Sequence, residues 1–218
     1  MKVLVAGCDR PFGRVVADHL GQAHEVVAVG REGSDGVQEV RLSEPEEVRP
    51  LVAGMDAVVC ADAFEMGVLE PVSDARTLDD AVRGAYVLLD EAQSAGVVRA
   101  IAISTLDLLD DYPDDHVLEE TFRPRPRPTP VSLATYLVEQ TFREFAREGP
   151  IASICLRFGE IDQLEGTPGY LALEAIDRAL TMSLEETRYR WFLYHVCESD
   201  RYPLRGAKQA PLSLKVED

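Results

Sequence analysis

The chain has 218 residues, 46% of them hydrophobic, and carries 39 acidic against 22 basic side chains for a formal net charge of −17. That length suits one ordinary domain with a proper core, and the apolar fraction is that of a soluble globular protein. The negative charge argues against general binding to nucleic acid or to an anionic membrane surface.

No apolar run reaches the length of a membrane span, and the N-terminus passes directly into a strand-like run, so a cytoplasmic protein is expected. Cys8, Cys60, Cys155 and Cys197 lack the C-x-x-C spacing of a zinc or redox site and are expected as buried free thiols.

Residues 1–20, MKVLVAGCDRPFGRVVADHL, set the frame. Lys2 to Ala6 is a valine-rich run, Gly7 and Gly13 bracket a turn, and Arg14 to Leu20 continues at helical spacing. Strand, glycine turn and helix in this order aim a helix N-terminus at an anion, usually a dinucleotide pyrophosphate. A three-glycine turn would read G-x-x-G-x-x-G, but Arg10 holds the middle position. A long cation there must either swing away or take the place of the phosphate. Gly7, Arg10, Phe12 and Gly13 are therefore candidate dinucleotide-binding residues.

Glu25 to Gly30 reads as a second strand, followed by Arg31. At this strand end an acid suits a free ribose 2′-hydroxyl and an arginine a 2′-phosphate, so Arg31 favours NADP over NAD. A third strand is expected over Val37 to Leu42, a helix over Pro45 to Ala53, and a fourth strand over Met55 to Ala61, with Ala61 at the expected groove. After an irregular stretch, 62–77, a long helix is expected from Leu78 to Ala95 and a fifth strand from Val97 to Ser104.

Residues 106–130 join an acidic stretch, DLLDDYPDDHVLEE, to the basic RPRPRPTP, and read as a stiff polyproline connector displaying Arg123, Arg125 and Arg127. A helix over Ser132 to Arg147, a sixth strand over Ile151 to Phe158, a helix near Leu171 to Leu184 and a strand-like Trp191 to Val196 precede a polar tail ending in KVED. The regular alternation implies an α/β protein with a doubly wound parallel sheet.

The order of MDAVVCADA, AVRGAYVLLDEAQSAGVVRAIAIST, PTPVSLATYLVEQTFREFA and LRFGEI resembles the extended short-chain dehydrogenase/reductase family, the NAD(P)-dependent epimerases and dehydratases of nucleotide sugars. The resemblance implies a Rossmann-like fold with a binding domain over 1–160, a reduced C-terminal subdomain over 161–218, NADP or NAD as cofactor, and a homodimer paired through the two long helices. It also implies a Ser or Thr at the fifth strand end and a Tyr-x-x-x-Lys on the next helix. Aligned through Glu139-Gln140, the tyrosine position holds Val131 and the lysine position Thr135. Valine has no titratable proton, and threonine has no charge to lower a neighbour's pKa.

Ala81 stands where the family carries an asparagine, and Arg41 where it often carries an adenine-contacting acid. Tyr136 lies five residues past Val131, a helical turn of roughly 140° away from that face. Thr105 keeps the family's hydroxyl position but is by itself a poor acid or base, Tyr112, Asp107 and His116 in the following loop are the expected substitute acids and bases, and Thr105 and Tyr112 are the candidate catalytic pair. Besides a pure scaffold with the Arg10 guanidinium where the pyrophosphate would go, two functions stay open. One is a divergent dinucleotide-binding or partner protein without tyrosine–lysine chemistry. The other is an active NADP-dependent oxidoreductase or isomerase with an unconventional catalytic set.

Overall fold

Runs such as VLVA and AVVC are apolar at every position, so a strand built from them must be covered on both faces, which is the demand of a parallel sheet between helix layers. The computed structural model, which describes residues 1–64, 75–159, 170–182, 190–197 and 201, meets this demand. Its strands are β1 (Lys2–Ala6), β2 (Glu25–Gly30), β3 (Gln38–Glu39), β4 (Ala57–Cys60), β5 (Arg99–Thr105), β6 (Ala152–Phe158) and β7 (Trp191–Val196). They form one seven-stranded sheet in the order β3-β2-β1-β4-β5-β6-β7, parallel at every pairing.

The described helices are α1 (Pro11–Leu20), α2 (Pro45–Val52), α3 (Ala75–Ser94), α4 (Pro130–Glu148) and α5 (Tyr170–Thr181). Phe12, Val16 and Leu20 of α1 and Ile176 and Leu180 of α5 pack on the sheet face that carries Val3, Val5, Val59 and Ile101. The opposite face, with Leu4, Ala6, Val58 and Ala100, is covered by Val48 and Val52 of α2, Leu88 and Leu89 of α3, and Val138 and Phe142 of α4. Successive β1 residues thus point into opposite cores, as the pleat requires.

The expected elements form with shifted ends. The third strand contracts to two residues because β3 sits at the sheet edge with only β2 beside it. The long helix starts earlier, at Ala75, and β5 reaches Thr105 because β6 pairs with it that far, Thr105 opposite Phe158. The stretch 62–77 lies mostly, and the tail ending in KVED wholly, outside the described residues.

The segment after β5 is more than a connector. Thr105 caps a short 3-10 turn over Leu106–Leu109, and Leu106, Leu109 and Leu118 build a small core with Tyr112 and Phe122. The basic half folds back on the acidic half: Arg125 stacks 3.8 Å over the Tyr112 ring, and Arg127 pairs with Asp110 at 3.5 Å. Opposite charges within one segment favour this return over an extended rod.

Candidate functional site

Strand order reverses between β1 and β4: the chain runs outward from β1 to β2 and β3, then crosses back to start the other half. A doubly wound sheet opens a crevice at the carboxyl ends of the strands at such a point. Gly7 follows β1 there, and Ala61 and Asp62 follow β4.

The glycines of the turn answer to close packing. Gly7 has φ +89, and a Cβ on it would lie 2.7 Å from the backbone nitrogen of Asp62. A Cβ on Gly13 would lie 2.1 Å from the Gly7 carbonyl oxygen, so α1 can seat against the turn only without a side chain at that position. Pro11 opens α1, whose first turn holds no acidic residue. Its dipole favours an anion at this end. Phe12 is buried, its ring 4.8 Å from Phe64 and 5.4 Å from Phe158. Ala61, also buried, donates its N–H to the Ala6 carbonyl and tethers the β4 end to β1.

Four charged side chains stand at this end of the sheet, Asp9, Arg10, Arg31 and Asp62. Arg31, after β2, donates from Nε and Nη2 to the two carboxylate oxygens of Asp62, at 3.2 and 2.8 Å. Because β2 and β4 flank β1, this ion pair bridges across the carboxyl end of β1. Burial would lower the Arg31 pKa, but attraction to Asp62 and the hydrogen bonds with it outweigh burial and raise it.

Arg10 caps α1 through its backbone, without a side-chain cap bond. Its Nε is buried, has no hydrogen-bond partner, and lies 3.8 Å from Asp9 Oδ2. The Asp9 side chain is 8% exposed, and its Oδ1 is likewise without a partner. This carboxylate packs on Gly30: a Cβ there would stand 2.5 Å from Asp9 Oδ1. Sequence reading missed both aspartates. A charged residue directly after an apolar strand run, in the turn or at the switch point, was the available signal.

The other end of the crevice lies where β5, β6 and α4 meet. Each member of the expected catalytic pair is hydrogen-bonded within the segment that follows β5. Thr105 Oγ1 accepts from the Asp107 N–H at 3.2 Å, while the Tyr112 hydroxyl donates to the Arg123 carbonyl at 3.1 Å. Asp107 belongs to the short turn that Thr105 caps, and His116 pairs with its neighbour Asp115 at 3.0 Å. On α4, Thr135 is buried and donates to the carbonyls of Ala63 and Val131 at 3.2 and 3.1 Å.

One turn on, Glu139 is 1% exposed and accepts from Arg157 Nε and Nη2 at 2.7 and 2.8 Å and from Ser104 Oγ at 2.6 Å. Arg157 also lies 3.5 Å from Nε2 of buried His195. Burial, and then Arg157, push the His195 pKa down to about 3, so this imidazole is neutral. The sequence hinted at the network by placing an arginine inside the apolar run IASICLRF.

Other expected residues find local roles. Arg41 pairs with Glu47, Arg14 donates to the Asp35 carbonyl at 2.6 Å, and Ala81 is buried in the core. Tyr136 is half-buried. All the cysteines are free thiols, with Cys8, Cys60 and Cys155 buried and Cys197 half-buried. Burial pushes Cys8 up to about 12, so the thiol beside the glycine turn is no nucleophile at neutral pH. Among the described residues no group of His, Cys, Asp or Glu could hold a metal ion, and no helix is long and apolar enough to cross a membrane.

With this geometry in view, likenesses to solved structures extend over most or all of the chain. Uronate dehydrogenase from Agrobacterium tumefaciens matches over 100% of this chain and 84% of its own, with a TM-score of 0.73 at 16% identity. UDP-glucose 4-epimerase from Thermus thermophilus, in complex with NAD, matches over 90% and 77%, with a TM-score of 0.67 at 21% identity. A short-chain dehydrogenase/reductase superfamily protein from Agrobacterium tumefaciens with bound NAD matches over 85% and 64%, with a TM-score of 0.62 at 23% identity. Identities this low establish the fold alone. No curated protein matches the chain significantly. The model of the NAD dependent epimerase/dehydratase family matches residues 3–161, and with the sheet order and the glycine turn this shows that the chain belongs to that family.

Proposed function

We propose that this protein binds a dinucleotide of the NAD(P) type over Gly7 and acts as a nucleotide-binding or partner protein, without tyrosine–lysine hydride chemistry. One observation carries the reading. Buried polar atoms at the glycine-turn end, Asp9 Oδ1 and Arg10 Nε, lack hydrogen-bond partners beyond the 3.8 Å ion pair between the two side chains, whereas the hydroxyls of Thr105, Thr135, Ser104 and Tyr112 at the other end all have them. An orphaned buried polar atom is costly unless something supplies its partner.

The residues present fit a dinucleotide at its adenosine and pyrophosphate portion. Gly7, Gly13 and the α1 N-terminus would receive the pyrophosphate, with Arg10 beside it, and Phe12 and Ala61 would wall the crevice. A bound nicotinamide would supply a hydride donor or acceptor. Val131 and Thr135 offer no group that could move the accompanying proton, and Thr135 is already engaged by backbone carbonyls. Residues 161–218 would form a reduced extension on the substrate side. Tyr86, 53% exposed on α3 with its ring 5.4 Å from Phe145 of α4, and Leu137 supply an apolar outer face that suits a homodimer. Sedimentation at micromolar concentration tests this, and a monomer refutes it.

The deciding experiment is calorimetric titration with NAD, NADH, NADP and NADPH, followed by a turnover assay on a hexuronate and on UDP-glucose, the kinds of compound that the solved neighbours' names suggest. Binding without turnover is expected, and Arg10→Gly should weaken binding by roughly tenfold if the guanidinium recruits phosphate. Turnover that falls in Thr105→Ala or Tyr112→Phe would overturn this reading in favour of an active oxidoreductase or isomerase. No binding at millimolar ligand would leave a cofactor-free scaffold.

A further inference from the structure

We infer that the crevice selects a nucleotide with a free ribose diol, NAD over NADP, and that Asp9 and Asp62 set this choice by overriding Arg31. The inference rests on the dinucleotide reading above and adds its specificity. An arginine just after β2 would ordinarily receive a ribose 2′-phosphate. Here both arms of the Arg31 fork are committed to Asp62, whose side chain is 7% exposed. Turning the guanidinium to a phosphate would strand a buried carboxylate, and that penalty opposes the exchange.

The acid that a diol needs is supplied from an unexpected place. Asp9 belongs to the glycine turn, not to β2, yet its carboxylate lies against Gly30, the last residue of β2. Gly30 makes the arrangement possible, since any side chain there would overlap the carboxylate. Asp9 Oδ1 is buried and lacks a donor. A carboxylate is an acceptor only, so a ribose hydroxyl completes its hydrogen bonding, while a phosphate brings no proton and repels it.

The wider field points the same way. Asp62, Asp80 and Asp9 all act on Arg31, and with Arg10 the set holds three acids against two bases. A 2′-phosphate would add about two further negative charges among them.

The test is calorimetric titration of wild type, Asp9→Asn, Asp62→Asn and the double variant Arg31→Leu/Asp62→Leu with NAD and with NADP, each variant's folding checked by its thermal midpoint. Wild type should bind NAD at least about tenfold more tightly than NADP. Asp62→Asn, which releases Arg31, should tighten NADP by about tenfold with little change for NAD. Asp9→Asn should weaken NAD and spare NADP. The double variant, which removes the arginine as well, should keep the NAD preference.

A wild type that favours NADP, or an unchanged NAD-to-NADP ratio in both Asp62→Asn and Asp9→Asn, overturns the assignment while nucleotide binding itself stands. Should Asp62→Asn fail to fold, an unchanged ratio in Asp9→Asn alone overturns it. Absence of binding of either nucleotide to any folded form refutes the dinucleotide reading and this inference with it.

Discussion

The two ends of the crevice were built from similar materials and finished differently. At the ends of β1, β2 and β4, Asp9, Arg10, Arg31 and Asp62 stand around a glycine turn, and two of their buried atoms lack partners. At the ends of β5 and β6, Ser104, Thr135, Glu139 and Arg157 are equally buried or more so, yet each is joined to other protein groups. Burial is thus not what separates the two ends. What separates them is whether the protein itself completes the hydrogen bonds, since a satisfied buried network rigidifies while an unsatisfied one invites a ligand.

The comparison can be broken most forcefully at the satisfied end. Glu139→Ala should destabilise the fold by about 3–5 kcal/mol, because it leaves the Arg157 charge buried and alone, whereas Glu139→Leu with Arg157→Met should recover most of that loss. Urea unfolding of the three forms measures both effects. An equally small effect for the single and the double change would mean that the network does not hold this part of the core together.

At the glycine-turn end, Gly13→Ala should cost about 1–3 kcal/mol by forcing α1 off the turn, and should abolish dinucleotide binding as well. Thermal unfolding and titration report the two consequences separately. A stable variant that still binds would show that the close seat of α1 is dispensable.

His195 sharpens the contrast through pH. Its folded pKa of about 3 lies below the ordinary 6.5, so the unfolded chain takes up a proton that the folded chain refuses. Its contribution is therefore present above the ordinary value and is lost as pH falls from there towards the folded pKa, by about 1.4 kcal/mol per pH unit. His195→Gln should flatten the stability profile in that window by one proton's worth of slope, as denaturant titrations at several pH values would reveal.

Tyr112→Phe should have the smallest effect, about 0.5–1.5 kcal/mol for one hydrogen bond to the Arg123 carbonyl, with dinucleotide affinity unchanged. A large fall in affinity would move Tyr112 from the folded loop into the site.

Much of the fold was legible in the sequence because its signals are short-ranged. Valine-rich runs, helical spacing and glycine at the first turn each act within a few residues, and their alternation implies a parallel sheet. Element ends were less legible, since the length of β5 depends on β6, about fifty residues on, and that of β3 on its edge position. Gly7 follows β1, Gly13 seats α1 against the Gly7 carbonyl, and Ala61 follows β4. Thr105 and Tyr112 take their hydrogen bonds within the segment after β5, which folds on its own leucine core and charge pairs.

By itself the sequence determined an acidic, doubly wound α/β chain with a glycine turn at its start, and the order of its strands and helices. Tertiary structure alone decided what the charges mean. Arg31 and Asp62 are thirty-one positions apart and become partners only because β2 and β4 end on either side of β1. Asp9 reaches the end of β2 only because the turn after β1 brings it to Gly30. Local patterning writes the elements. Charge pairing is a property of distance in space, and distance in space is set by the order of strands in the sheet.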